Sequence, residues 1–223
     1  SLGIPCVVGV NGLTEKVSHG APLLLDGSEG VVVVNPDAET LRQYRAKKRR
    51  ERLRGLRLKR LRELPAETKD GFRLVLQANV EFPEVCDTAQ EQGSEGIGLF
   101  RSEWFLTRSG GRFPSEEEQF LVYRSMAQQM RPWSVVVRAF DLASAQLGDD
   151  TGESEANPAL GLRAIRLLLK RRDLFKEQLR ALLRARAFGN VKVMFPMISG
   201  VGEFRDALGV VEEAKQELRR DGL

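Results

Sequence analysis

Hydrophobic residues follow three different rhythms along this chain. Between residues 4 and 35 they come in short runs: 5–10, Leu23-Leu24-Leu25 and Val31-Val32-Val33-Val34. The last two flank Asp26-Gly27-Ser28-Glu29-Gly30, which predicts a β-hairpin with a loop longer than two residues. The run at 5–10 reads as a further strand. From residue 35 to 64 the apolar positions thin to a broken stripe of Leu41, Tyr44, Leu53, Leu56, Leu61 and Leu64, with Gly55 in its path. That pattern predicts one long helix, capped by Asn35, with Pro36 at its first position and Pro65 as its stop.

From residue 66 onward, strand-like and helix-like patterns alternate. Strands are predicted at 73–79, 95–100, 134–140 and 191–195. A helix at 82–92 is closed by Gly93. The next opens at Pro114-Ser115-Glu116-Glu117-Glu118, where Ser115 and Glu118 have capping-box spacing and three glutamates suit the positive end of the helix dipole. Further helices are predicted at 157–169, after Asp173 as a cap, and over Val201, Phe204, Leu208, Val211 and Leu218 as the buried stripe of the last one. Alternating strand–helix units imply a parallel sheet with right-handed crossovers. A closed (β/α)₈ barrel takes about 250 residues and eight strands. The fold class read here is therefore α/β: the first half of such a barrel, preceded by a helical linker.

Composition narrows the picture. The chain has 223 residues, 42% hydrophobic, enough for a sizeable core. No apolar run approaches the roughly 20 residues of a membrane span, and the N-terminus lacks the pattern of a signal peptide. No membrane association is expected. Cys6 and Cys86 have no CxxC spacing and no histidine neighbours, so they read as reduced cysteines of a cytoplasmic protein. The net charge of +4 hides an uneven distribution, because residues 42–62 hold twelve Lys or Arg and a single Glu. That block reads first as the solvated face of a linker helix. It has one aromatic, Tyr44, and no nucleic-acid-binding motif, so no nucleic-acid partner is expected. The alternative is a non-catalytic module whose helix at 37–64 holds an acidic partner or nucleic acid.

Candidate chemistry lies at strand ends. Arg101 follows the apolar run at 95–100, and Arg138 sits near the end of the next strand. In parallel barrels the functional groups collect at the C-terminal ends of the strands. A guanidinium fork there matches phosphate or carboxylate. The structural alternative pairs these arginines with Glu103 and Asp141. His19, the one histidine, stands between Ser18 and Gly20 and reads as an exposed turn residue. Gly93, Gly96 and Gly98 precede a strand end and not a helix, so a dinucleotide loop is excluded.

Five motifs then occur in order: Gly96-Ile97-Gly98-Leu99-Phe100-Arg101-Ser102-Glu103, Pro114-Ser115-Glu116-Glu117-Glu118-Gln119-Phe120, Val137-Arg138-Ala139-Phe140-Asp141, 157–166 with Asn157-Pro158 and Arg163, and Met194-Phe195-Pro196-Met197. Together they closely resemble Enzyme I of the bacterial phosphoenolpyruvate-dependent sugar phosphotransferase system. Residues 2–9 resemble the segment that follows the phosphohistidine motif of that family. The resemblance implies three parts: residues 1–36 as the C-terminal part of the swivelling phosphohistidine domain, 37–65 as the helical linker, and 66–223 as the first half of the phosphoenolpyruvate-binding barrel.

It also implies an activity: phosphoryl transfer from phosphoenolpyruvate to the enzyme's own histidine, then to a histidine-containing phosphocarrier protein, with Mg²⁺ as cofactor. The open sheet edge and uncovered apolar face of a half barrel separately make a homodimer or larger assembly the expectation. Arg101 and Arg138 match the arginines that hold the substrate phosphate. Arg163 matches a third, and Asn79 and Asp141 are candidates for polar support around them. The acceptor histidine, the acidic Mg²⁺ ligands and the acid cysteine fall outside the matched residues, so this stretch alone is expected to be inactive. One departure is internal. Where the family usually carries Gly-Gly-Asp-Lys, this chain has Ala143-Ser144-Ala145-Gln146.

Overall fold

The computed structural model describes residues 4–143, 157 and 161–223. Two compact units divide at Leu61 and Arg62. The first contains a short helix α1 (Leu13–Lys16), strands β1 (Leu23–Asp26) and β2 (Val31–Val34), and the helix α2 (Ala38–Leu61). β1 and β2 pair antiparallel, with Leu23 opposite Val34 and Asp26 opposite Val31, so the expected hairpin forms. The buried Asp26 carboxylate accepts hydrogen bonds from the backbone N–H of Ser28 and Glu29 in the turn. Lys47 of α2 pairs with Asp26 and, at 2.6 Å, with Glu29. The Lys47 hydrogen bond is the main reason that Asp26 stays far below the usual carboxylate range.

Two expectations fail in this unit. Residues 5–10 form no strand, because no ladder neighbour accompanies them among the described residues. The cap of α2 is Asp37, whose Oδ1 accepts the Thr40 N–H at 2.7 Å, and not Asn35, which takes a left-handed φ of 50°.

The second unit is built on a four-stranded parallel sheet of β5 (Ala78–Val80), β6 (Gly96–Arg101), β7 (Ser134–Arg138) and β8 (Asn190–Met194), in that order. Ahead of it, β3 (Ala66–Glu67) and β4 (Arg73–Leu74) form a small antiparallel ladder. The single strand expected at 73–79 is thus split in two. A 3₁₀ turn (Pro83–Val85) and α3 (Cys86–Glu91) lead to Gly93, whose φ of +85° suits the helix-ending role expected of it.

α4 (Trp104–Arg108) and α5 (Glu116–Gln129) connect β6 to β7. The predicted capping box is present. Ser115 Oγ accepts the Glu118 N–H at 3.3 Å, and Glu118 Oε2 accepts the Ser115 N–H at 2.8 Å. Arg112 and these Ser115 bonds hold the Glu118 carboxyl down at about 2.

α6 (Ala164–Lys170), α7 (Arg172–Ala185) and α8 (Val201–Arg220) complete the unit. The helix expected from 157 starts at Ala164. Asp173 lies inside the first turn of α7, bonded to Arg171, and does not cap it. The buried face of α8 also differs from the expected stripe. Ala207, Val210, Ala214 and Leu218 are buried, while Val201, Phe204 and Leu208 are exposed. Small residues on the inward side allow α8 to lie close to α7, and ion pairs Arg172–Glu213 and Lys176–Glu217 border that contact. Ile97, Phe100, Val135 and Val137 of the sheet and Tyr123, Met126, Phe175 and Leu179 of the helices form one continuous core.

Candidate anion-binding site

β6 and β7 end side by side because they pair in parallel with Arg101 opposite Arg138. Apolar residues anchor each strand in the core up to that point: Phe100 and Val137 are fully buried. The arginines follow at the rim, where a charged head can stay near solvent. The buried Ser102 Oγ donates to the Arg138 carbonyl at 2.7 Å and fastens the two strand ends together.

Each guanidinium has a carboxylate partner. Arg101 Nη1 lies 2.9 Å from Glu81 Oε1, in a pair about half exposed. Such a surface pair contributes at most about 1 kcal/mol and exchanges readily for another anion. Arg138 is three-quarters buried; its Nη2 lies 3.1 Å from Glu103 Oε2 and its Nη1 3.6 Å from Asp141 Oδ2. Neither contact is a hydrogen bond, since Glu103 Oε2 has no hydrogen-bond partner and 3.6 Å is too long for one; Arg138 Nε is also buried without a hydrogen-bond partner. Arg163 makes the better-formed pair, with Nη2 2.8 Å and Nε 3.2 Å from Asp141 Oδ1. Glu103 Oε1 in turn accepts the Asp141 N–H at 2.6 Å. Arg138, Glu103, Asp141 and Arg163 therefore form one linked cluster, with Arg101 on the neighbouring strand end.

Backbone geometry brings Arg163 there across an intervening segment of chain. Ala143 and Arg163 form an isolated bridge, and the Ala164 N–H donates to the Leu142 carbonyl at 2.9 Å. Ala164 takes a φ of 50°, a left-handed conformation costing a residue with a Cβ roughly 1–2 kcal/mol. Met197, just past β8, has a φ of 56°. Residues held this way cluster where surrounding structure enforces them, often at functional rims.

A second layer supports the cluster from below. The Phe140 N–H donates to Gln178 Oε1 at 3.1 Å, Gln178 Nε2 donates to the Tyr123 hydroxyl at 3.1 Å, and that hydroxyl donates to Gln119 Oε1 at 3.1 Å. Gln119 Nε2 donates to the Pro114 carbonyl at 3.2 Å. All three side chains are buried, and burial pushes the Tyr123 hydroxyl well above its usual range, so it remains a neutral donor.

The predicted residues are therefore distributed as follows. Arg138 and Arg163 both contact Asp141, and Arg101 stands opposite Arg138 on the neighbouring strand. Asn79 is exposed on β5, aligned with Leu99, and bonds to none of the three arginines among the described residues. Gln146 lies outside the described residues. His19 is in an exposed turn. Sequence reasoning missed Glu81 and Gln178. An acidic residue directly after a strand end was the available signal for Glu81. Gln178, on the apolar side of α7 between Phe175 and Leu179, was visible only as a polar break in that face. Among the described residues, no group of three His, Cys, Asp or Glu side chains could hold a metal ion. No helix there is long and apolar enough to cross a membrane.

Comparison with known proteins gives this cluster its context. The chain is 42% identical over 224 residues to the phosphoenolpyruvate-protein phosphotransferase of Geobacillus stearothermophilus, covering all of this chain and 39% of that protein. Proteins of the same name from Bacillus subtilis and Haemophilus influenzae are 39% and 40% identical over 223 residues, with the same coverage. The chain thus spans about two fifths of the length of these relatives. Residues 56–223 match the family model described as PEP-utilising enzyme, PEP-binding domain. On the strength of that match and of these identities, the chain belongs to the family of PEP-utilising enzymes.

Proposed function

We propose that this chain is the part of a phosphoenolpyruvate-protein phosphotransferase that grips the phosphate of phosphoenolpyruvate, and that Arg101, Arg138 and Arg163 form the grip. The observation that carries the reading is the pairing of Arg101 and Arg138 at adjacent strand ends, with Arg163 joined to Arg138 through Asp141, in a chain of this family. Phosphoryl transfer asks a protein mainly for positioning and for stabilisation of charge spread over the phosphate oxygens. Arg138 and Arg163 are oriented in advance by Glu103 and Asp141. Arg101 exchanges its exposed partner Glu81 for a phosphate oxygen, and the unpartnered Arg138 Nε–H supplies a further donor.

In this reading the parallel sheet is the first half of a (β/α)₈ barrel, residues 1–36 belong to a phosphohistidine domain, and 37–65 link the two. The whole protein passes the phosphoryl group to its own histidine and then to a histidine-containing phosphocarrier protein in the cytoplasm, in keeping with two free cysteines. Mg²⁺ does not fit the described residues, which offer no acidic cluster for it. Its ligands belong to later strands of the whole protein.

The test is a calorimetric titration of phosphoenolpyruvate into the 223-residue chain, with and without Mg²⁺. Weak binding, insensitive to Mg²⁺, is expected. Arg101→Ala with Arg138→Ala is expected to weaken it at least about tenfold, because two charge-assisted contacts are removed. Equal heats from the chain and the double variant would refute the grip.

A homodimer is the proposed assembly. Among the described residues both edges of the sheet are open, and exposed apolar residues follow or precede them in the chain: Phe72, Val75 and Leu76 before β5, and Val201, Phe204 and Leu208 after β8. Such edges favour association. Light scattering is expected to give twice the 25.0 kDa chain mass, and a monodisperse monomer at high concentration would count against it.

A further inference from the structure

We propose that α2 binds duplex DNA through the phosphate backbone, without sequence preference. From Lys48 to Arg60 every lysine and arginine of the helix is exposed, and none forms an ion pair among the described residues. Arg45–Arg49, Lys48–Arg52 and Arg50–Arg54 stack like charges at i, i+4. Each such pair destabilises a helix by a few tenths of a kcal/mol. Glu51 is the one acidic residue among them. A polyanion removes that repulsion, so the helix is more stable bound than free.

The arrangement of the cations selects the kind of polyanion. At 100° per residue they spread over about two thirds of the helix circumference, and Glu51, Gly55 and Leu58 occupy the remaining third. A flat anionic surface would meet only part of them. A groove with phosphates on both walls meets most of them, and the major groove of B-form DNA, about 12 Å wide, admits a helix 10–12 Å across. The segment from Lys48 to Arg60 is about 20 Å long, which runs beside roughly twelve duplex phosphates at one charge per about 1.7 Å.

An anionic membrane fits less well. An interfacial helix needs its apolar residues on one side. Here Leu53 and Leu56 share one side, and Leu58 and Leu61 share another, at 100° per residue. The exposed helix and its missing partners answer the absence of a motif noted from the sequence, because phosphate contacts need no motif and carry no sequence information. The inference stands apart from the phosphoenolpyruvate reading and survives its failure.

The experiment measures fluorescence anisotropy of a labelled 20-base-pair duplex of mixed sequence with the 223-residue chain. Binding at 50 mM salt is expected, falling by about 10³ at 200 mM if six or more phosphates are contacted. The variant R49Q/R50Q/R52Q/R54Q is expected to reduce the salt slope by about 3 to 4. Glutamine has nearly the helix propensity of arginine, and circular dichroism verifies that α2 persists. The control variant R131Q/K192Q/R205Q/R220Q removes four exposed charges from the second unit and is expected to leave the slope unchanged. Three results would each overturn the proposal: no duplex binding at 50 mM salt, equal losses in both variants, or tighter binding to phosphatidylserine vesicles than to the duplex.

Discussion

Replacing Gly96 with alanine is expected to destabilise the second unit by about 3–5 kcal/mol, through backbone strain and overpacking together. Gly96 opens β6 at a φ of +126°, a conformation that residues with a side chain rarely adopt. A Cβ placed there would lie 2.6 Å from the Ser134 carbonyl oxygen and 2.9 Å from Gln77 Nε2. Gln77 is a flexible side chain and moves aside. Ser134 does not, because its backbone is the register partner of Gly96 on β7. Relief requires the two strands to separate at their start. Both tryptophans, Trp104 and Trp133, lie in this unit, so urea unfolding followed by tryptophan fluorescence reports on it alone. Gly209→Ala is the matched comparison. Nothing lies within 4 Å of its added methyl, and in mid-helix it is expected to gain about 0.5–1 kcal/mol. Equal midpoints for the two variants would show that the close approach at Gly96 is not what constrains the sheet.

The second large effect is expected from Gln178→Leu, at about 2–4 kcal/mol of lost stability. Leucine fills a similar volume, so the loss isolates hydrogen bonding from packing. Gln178 is fully buried and serves two groups at once: it accepts from the Phe140 N–H and donates to the Tyr123 hydroxyl. Leucine leaves that amide with no acceptor and the hydroxyl with one partner fewer. Tyr123→Phe removes a single member of the chain and is expected to cost about half as much. Amide hydrogen exchange supplies a local reading. Phe140 is expected to exchange much faster in Gln178→Leu, and its neighbours at the ends of β6 and β7 to follow. Unchanged protection of Phe140 would mean that Gln178 packs there without holding the strand end.

Several local signals in the sequence formed as read, although the caps expected at Asn35 and Asp173 did not. The capping box of Ser115 and Glu118, the apolar runs of β6 and β7 and the hairpin of β1 and β2 all formed as read. Each is decided within about ten residues. Readings that needed knowledge of a neighbour failed. The alternation over 73–79 looks continuous, but Leu74 pairs with Ala66 while Ala78 pairs with Ile97, so the stretch serves two sheets. On α8, the larger apolar residues Val201, Phe204 and Leu208 outweighed the small ones that face α7, because periodicity measures hydrophobicity and not closeness of approach. In the arginine cluster, the positions of Arg101 and Arg138 were legible as charged residues at strand ends. Their partners were only partly so. Glu103 and Asp141 are near Arg138 in sequence, whereas Glu81 meets Arg101 from twenty residues away through the pairing of β5 with β6.

The order of strands in the parallel sheet matches their order in the chain, β5 to β8 without exception. Each strand therefore needs only the one synthesised just before it. On a ribosome, where the N-terminal side emerges first, β6 finds β5 already outside the exit tunnel, β7 finds β6, and β8 finds β7. Closure entropy grows only slowly with loop length, so the loss at each crossover is modest and is recovered before the next strand appears. A sheet of this order assembles by accretion, one crossover at a time, and β6, β7 and β8 each emerge to a partner already made.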